Sequence, residues 1–117
     1  MIKTAADLIQ QAQQEISCVD IASAKQLFDS VENAFIIDVR EAEHVAKDKV
    51  RQSIHISRGL LEMKISHHCP DANTIILTHC VGGGRASLAA LTLQQMGYRQ
   101  VYAITAAFDD IKAAFDS

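Results

Sequence analysis

The chain has 117 residues, one domain's length, with 11 Lys and Arg against 14 Asp and Glu and a net charge of −3. No basic block offers nucleic acid a counterion-releasing surface, and no apolar run approaches the ~18 residues of a membrane span, so partners of both kinds are excluded. A composition that is 49% hydrophobic and 21% charged belongs to a folded globule rather than a disordered chain. Met1–Asp7 lacks the apolar core of a secretion signal, and three cysteines (Cys18, Cys69 and Cys80) are too few for a disulfide scaffold. The expectation is a cytoplasmic protein with free thiols.

Residues 4–16 read as an amphipathic helix, with Thr4 and Asp7 forming a capping box and Ala5, Leu8, Ile9, Ala12 and Ile16 on one face. That face packs on the chain's own domain or on a partner helix. A short strand is expected at 17–19, then a helix capped by Ser23 and running to about Phe28. The β-branched run 34–39 reads as a buried parallel strand ending in the polar residues Asp38, Arg40 and Glu41. Helical character returns at 42–47, alternation at 53–57 suggests a strand, and 59–66 suggests a helix. Pro70 lies in a polar loop. A second buried strand covers 74–79 and runs straight into Cys80-Val81-Gly82-Gly83-Gly84-Arg85. A helix apolar nearly all round follows at 86–96, ended by Gly97 as a left-handed cap, then a strand at 100–104 and a helix at 108–115. Strand and helix alternate, which argues an α/β domain with a mostly parallel sheet, whose ligands sit at the carboxyl ends of the strands.

Two segments place unusual residues at those ends: Asp38-Val39-Arg40 and the Cys80 loop. Cys80 sits between a buried strand and a helix N-terminus, where unpaired N–H groups and the helix dipole favour an anion. Glycines let successive N–H groups converge on one point and leave the sulfur uncovered. Arg85 adds a permanent charge and a fork of donors, able to hold an oxyanion or to pin the loop. A cysteine at a strand end is often a small core residue and a glycine turn often only a turn; their conjunction with Arg85 points to a thiolate site. His67, His68, Cys69, His79 and Cys80 match no zinc spacing, and neighbours on a strand face opposite ways. Cys18 reads as core. Cys69 reads as an exposed loop thiol, with a resolving role for Cys80 as the alternative.

On these residues the chain resembles the rhodanese (thiosulfate sulfurtransferase) superfamily, in its single-domain form. Phe35-Ile36-Ile37-Asp38-Val39-Arg40-Glu41 is similar to the family's strand ending in Asp-Val-Arg-Glu. Ile76 to Ser87 is similar to its active-site loop, and Leu91 to Tyr102 to its helix-Gly-aromatic-strand segment. The resemblance implies a three-layer α/β domain at residues 16–117, with a central, mostly parallel five-stranded sheet and helices on both faces; residues 1–15 are then an N-terminal helical extension. It implies Cys80 as catalytic nucleophile, Val81, Gly82, Gly83, Gly84 and Arg85 as the substrate-binding loop, and Asp38, Arg40 and Arg58 as supporting residues. Sulfane sulfur would pass from a small anionic donor such as thiosulfate, through a Cys80 persulfide, to a thiol or to cyanide. No metal or organic cofactor is implied, and a sulfur-relay protein is a further candidate partner. Four residues separate Cys80 from Arg85, as in the sulfurtransferase form; the phosphatase and arsenate-reductase forms have five. A non-catalytic binding or regulatory module is the other alternative. The sequence departs from the family at Asp48–Ser53, which replaces a Gly-His-Ile-Pro-Gly-Ala stretch, at Ala106-Ala107 in place of Gly-Gly, and at the apolar Val81. These departures predict weak thiosulfate binding and a reshaped site mouth.

Overall fold

In the computed structural model, which describes all 117 residues, the elements run α1 (Ala5–Glu15), β1 (Ser17–Val19), α2 (Ile21–Asp29), β2 (Phe35–Asp38), α3 (Ala42–Lys47), β3 (Ile54–His55), a 3-10 turn (Arg58–Leu60), α4 (Leu61–His68), β4 (Ile75–His79), α5 (Gly84–Gln95), β5 (Gln100–Ile104) and α6 (Phe108–Phe115). The strands form one five-stranded sheet in the order β1-β5-β4-β2-β3, and every pair is parallel.

Side-chain alternation along the strands divides the core in two. Ile37, Ile76, Val101 and Ala103 face α4 and α5, which contribute Leu61, Ile65, Ala86, Ala89, Ala90 and Leu93. Ile36, Leu77 and Ile104 face α2 and α6, which contribute Ala24, Ile111 and Phe115. β4 is central, and all five of its residues are buried. A strand covered on both faces needs a continuous apolar run rather than an alternating one, hence Ile75-Ile76-Leu77.

The helix starts show how local chemistry sets the boundaries. Thr4 and Asp7 form the reciprocal capping box, Asp7 N–H to Thr4 Oγ1 at 3.1 Å and Thr4 N–H to Asp7 Oδ2 at 3.0 Å. α2 begins earlier than Ser23 because the Asp20 carboxylate, one of the strongest capping groups, accepts the Ser23 N–H at 2.8 Å. The alternation at 53–57 yields only Ile54–His55 as ladder. The helix expected from Gly59 starts at Leu61, after the 3-10 turn. Gly97 ends α5 at φ +108°, the left-handed conformation a helix stop uses.

α1 docks on its own chain, against α5. Ala12 is fully buried, Ile9 lies over Gly84, and Gln13 meets Ser87. Both contacts advance in the same direction, so α1 and α5 run parallel. The first turn of α1 therefore rises beyond the start of α5 by about 6 Å, four residues at the helical rise.

Candidate functional site

The carboxyl ends of the strands carry the Cys80 loop. β4 delivers Cys80 with its side chain on the α5 face of the sheet, and the sulfur is not left uncovered as the glycines suggest: packed among α5 and the sheet, Cys80 is only 3% exposed. Its Sγ accepts the Gly83 N–H at 3.2 Å and the Ala86 N–H at 3.4 Å. Both donors belong to the unpaired first turn of the 12-residue helix α5, so the sulfur takes the place an anion takes at a helix start. The Thr78 hydroxyl donates to the Ala86 carbonyl at 2.8 Å and fixes that turn to β4.

The three glycines have three different environments. Gly83 stands at φ +103°, and a Cβ there would come within 3.0 Å of the Thr105 Cα; both backbone strain and backbone contact demand glycine. A Cβ on Gly84 would come within 2.9 Å of Ile9 Cδ1, the tip of a side chain on the docked α1, which would have to shift to admit it. A Cβ on Gly82 would meet open space. Val81 is 53% exposed, while its carbonyl accepts the Phe108 N–H at 3.0 Å. The Arg85 side chain is exposed and makes no hydrogen bond or ion pair within the chain, so it takes no part in pinning the loop and its charge is free.

A second cluster lies on the other face of the sheet. β2 pairs Asp38 with His79 on one side and His55 on the other. Arg40 grips Asp38 by Nε at 3.0 Å and Nη2 at 2.8 Å, donates to the Asp48 carbonyl at 2.7 Å, and stacks 3.9 Å from the Phe108 ring centre. Burial pushes the Asp38 carboxyl up, and the hydrogen bonds from Arg40 and the neighbouring positive charge overcome it, leaving a net downward shift. His79 is fully buried, stacks on Phe108, and has no hydrogen-bond partner on either ring nitrogen. Burial drives its pKa from 6.5 to about 4 against the pull of Asp38, so its ring is neutral.

Among the predicted site residues, the structure brings together Cys80 and the loop from Val81 to Gly84, with Arg85 at the rim. Asp38 and Arg40 lie behind this loop and meet it through His79, which directly precedes Cys80, and through Phe108. Arg58 is engaged elsewhere: its guanidinium bonds Thr92 Oγ1 at 2.8 Å and Glu62 at 3.2 Å, on the flanks of α5 and α4. The remaining two cysteines exchange their expected settings. Cys18 is exposed because β1 is an edge strand, and Cys69 is buried at the end of α4, where burial pushes its thiol up to about 11. The Cys69 carbonyl accepts the Tyr98 hydroxyl beyond the far end of α5, so about 18 Å of helix separates it from Cys80 and no resolving pair forms. Ala106 and Ala107 adopt no left-handed backbone, so glycine is not required there. Ser87 and Phe108 also touch the loop, and Gln13 touches Ser87, without having been singled out. No local pattern marks them: Ser87 is one of several polar residues in α5, and the other contacts are long-range. No cluster of three His, Cys, Asp or Glu side chains could hold a metal ion.

Comparisons with known proteins agree with this architecture. The family model described as "Rhodanese-like domain" matches residues 20–114. The Bacillus subtilis (strain 168) protein named "Putative sulfurtransferase YtwF" is 29% identical over 87 residues, 74% of this chain and 82% of that one. "Putative sulfur carrier protein YrkF" of the same organism is 31% identical over 83 residues, 71% of this chain; the chain spans only 44% of its length. A solved structure from Rhodopseudomonas palustris CGA009, RPA3614, named as a protein of unknown function and possible tyrosine phosphatase, superposes with a TM-score of 0.80 at 28% identity. The superposition covers 97% of this chain and 92% of that one, so α1 has a counterpart there.

Proposed function

Because the chain belongs to the rhodanese-like domain family, we propose that it is a sulfurtransferase whose Cys80 carries the transferred sulfur. The observation that carries this reading is the pair of N–H groups, from Gly83 and Ala86, directed at the Cys80 sulfur at the start of α5. The names of the two Bacillus relatives point to the same chemistry.

In the proposed reaction the Cys80 thiolate attacks the outer sulfur of a donor such as thiosulfate. A bond forms between Sγ and that sulfur, the donor's S–S bond breaks, and sulfite leaves with the electron pair. An acceptor thiolate, or cyanide, then attacks the terminal sulfur of the persulfide and returns Cys80 to its thiolate. The α5 N–H groups hold the anion throughout and are already oriented before the reaction. Arg85 is the one cation of the loop, free and exposed, beside the apolar Val81. A single free charge suits a dianion poorly, so thiosulfate should saturate the protein weakly.

Intact-mass spectrometry of reduced protein after incubation with thiosulfate, and separately with polysulfide, tests this reading. A gain of about 32 Da, removed by cyanide and absent from Cys80→Ser, is expected. No gain with either donor overturns it. The R. palustris neighbour's name raises a second reading, phosphate-ester hydrolysis at the same thiolate. Hydrolysis of p-nitrophenyl phosphate that disappears in Cys80→Ser would favour that chemistry.

A further inference from the structure

A chain of hydrogen bonds runs from α1 into the Cys80 loop. Gln13 Nε2 lies 3.1 Å from Ser87 Oγ, and Ser87 Oγ lies 2.6 Å from the Gly83 carbonyl oxygen. A carbonyl can only accept, so the single Ser87 hydroxyl proton is committed to Gly83. Gln13 must therefore present its amide N–H₂ to the hydroxyl oxygen, which fixes the direction of the whole chain. Gly83 is also the residue whose N–H meets the Cys80 sulfur. Its carbonyl receives a second bond, from the Ser87 N–H at 2.9 Å. Two donors from one residue hold the Gly83–Gly84 peptide, and Gln13 orients one of them. Ile9 closes over Gly84 one helical turn earlier.

We propose that Gln13 is a positioning residue for Cys80, acting through Ser87 to hold Gly83 in the conformation that directs its N–H at the sulfur. The helix that precedes the matched family segment, residues 20–114, would then be part of the working site rather than an appendage. The proposal builds on the reading of Cys80 as the reactive thiolate. Gln13 is exposed, so its replacement spares the core, whereas Ser87 is fully buried.

The test compares wild type with Gln13→Met, Ser87→Ala and the double variant. The main readout is the rate constant for alkylation of Cys80 by iodoacetamide at one fixed neutral pH, followed by peptide mass spectrometry. Gln13→Met keeps the side chain's length and removes its donor. It should slow alkylation more than twofold, as expected for losing one net hydrogen bond, and leave the thermal midpoint unchanged. Ser87→Ala should slow it at least as much. Because Gln13 acts through Ser87, the double variant should be no slower than Ser87→Ala alone. A change below twofold in Gln13→Met, a faster reaction, or independent multiplication of the two effects overturns the proposal.

Alkylation needs no sulfur donor. A wild type that gains no persulfide, while Gln13→Met slows alkylation as expected, defeats the sulfurtransferase reading and leaves the positioning role supported. A wild type that loads normally, with Gln13→Met alkylating at the same rate, overturns the positioning role alone. Where donor turnover is measurable, Gln13→Met should lower kcat with little change in KM, because Gln13 never touches the donor.

Discussion

At the residue scale, the three consecutive glycines are not interchangeable. Gly83→Ala puts a Cβ on a residue at φ +103° and within 3.0 Å of the Thr105 backbone. It should cost about 2 kcal/mol or more, lowering Tm by roughly 8 °C or more in a domain of this size. Gly82→Ala meets open space at ordinary backbone angles and should stay within about 0.5 kcal/mol of wild type. Calorimetry of the two variants checks the contrast, and equal losses would contradict it. The sequence marks the run as a loop around a sulfur but does not divide it. Thr105 lies 22 positions after Gly83 and Ile9 lies 75 before Gly84, and neither leaves a local pattern. Asp20 was legible in principle: three residues before Ser23, it is an equally good cap, and the choice between the two turns on local geometry alone.

At the element scale, β2, β4 and α6 are joined by the Asp38–Arg40–His79–Phe108 cluster. Arg40→Met would leave the fully buried Asp38 carboxylate without its partner. Breaking one side of such a pair costs about 3–5 kcal/mol, measurable as a shift of the urea midpoint at constant slope. His79 adds a pH dependence. Its folded pKa of about 4 lies below the ordinary 6.5, so between those values the unfolded chain binds the proton and the folded chain does not. Stability from this residue is complete above pH 6.5 and is lost as pH falls toward 4, by about 3 kcal/mol in total. Asp38, shifted downward, adds a further loss at lower pH. His79→Leu removes a ring that has no hydrogen-bond partner and should flatten the decline of Tm between pH 7 and 4.5; an unchanged slope would refute the assignment. The supporting role expected of Asp38 and Arg40 came from the family resemblance, while the polar residues that end the apolar run of β2 were visible in the sequence itself. That His79 and Phe108 complete the cluster follows from strand register, which the sequence does not fix.

At the scale of the whole molecule, the order of strands and helices was legible because each buried strand is a short apolar run between polar turns. Cys18 and Cys69 exchanged settings for a reason of that same scale: burial depends on which strand lies at the edge and which helix end lies beneath the sheet, and neither is local. Alkylation of the native protein should therefore reach Cys18 readily, while Cys69 reacts only in step with global unfolding in urea. Cys69 reacting as fast as Cys18 would contradict the fold. The loop is also tied at both flanks. The Phe108 N–H holds the Val81 carbonyl from the side of α6, and Ser87 holds Gly83 from the side of α5. A loop anchored to both outer layers has little room to remodel around what it meets, so the fit must exist before the encounter. Cys80 is only 3% exposed, so a delivering molecule would meet it at one atom and keep its remainder outside. The reaction would then be indifferent to the bulk of the carrier, and discrimination among carriers would fall to the rim, where Val81, Gly82 and Arg85 are the exposed positions.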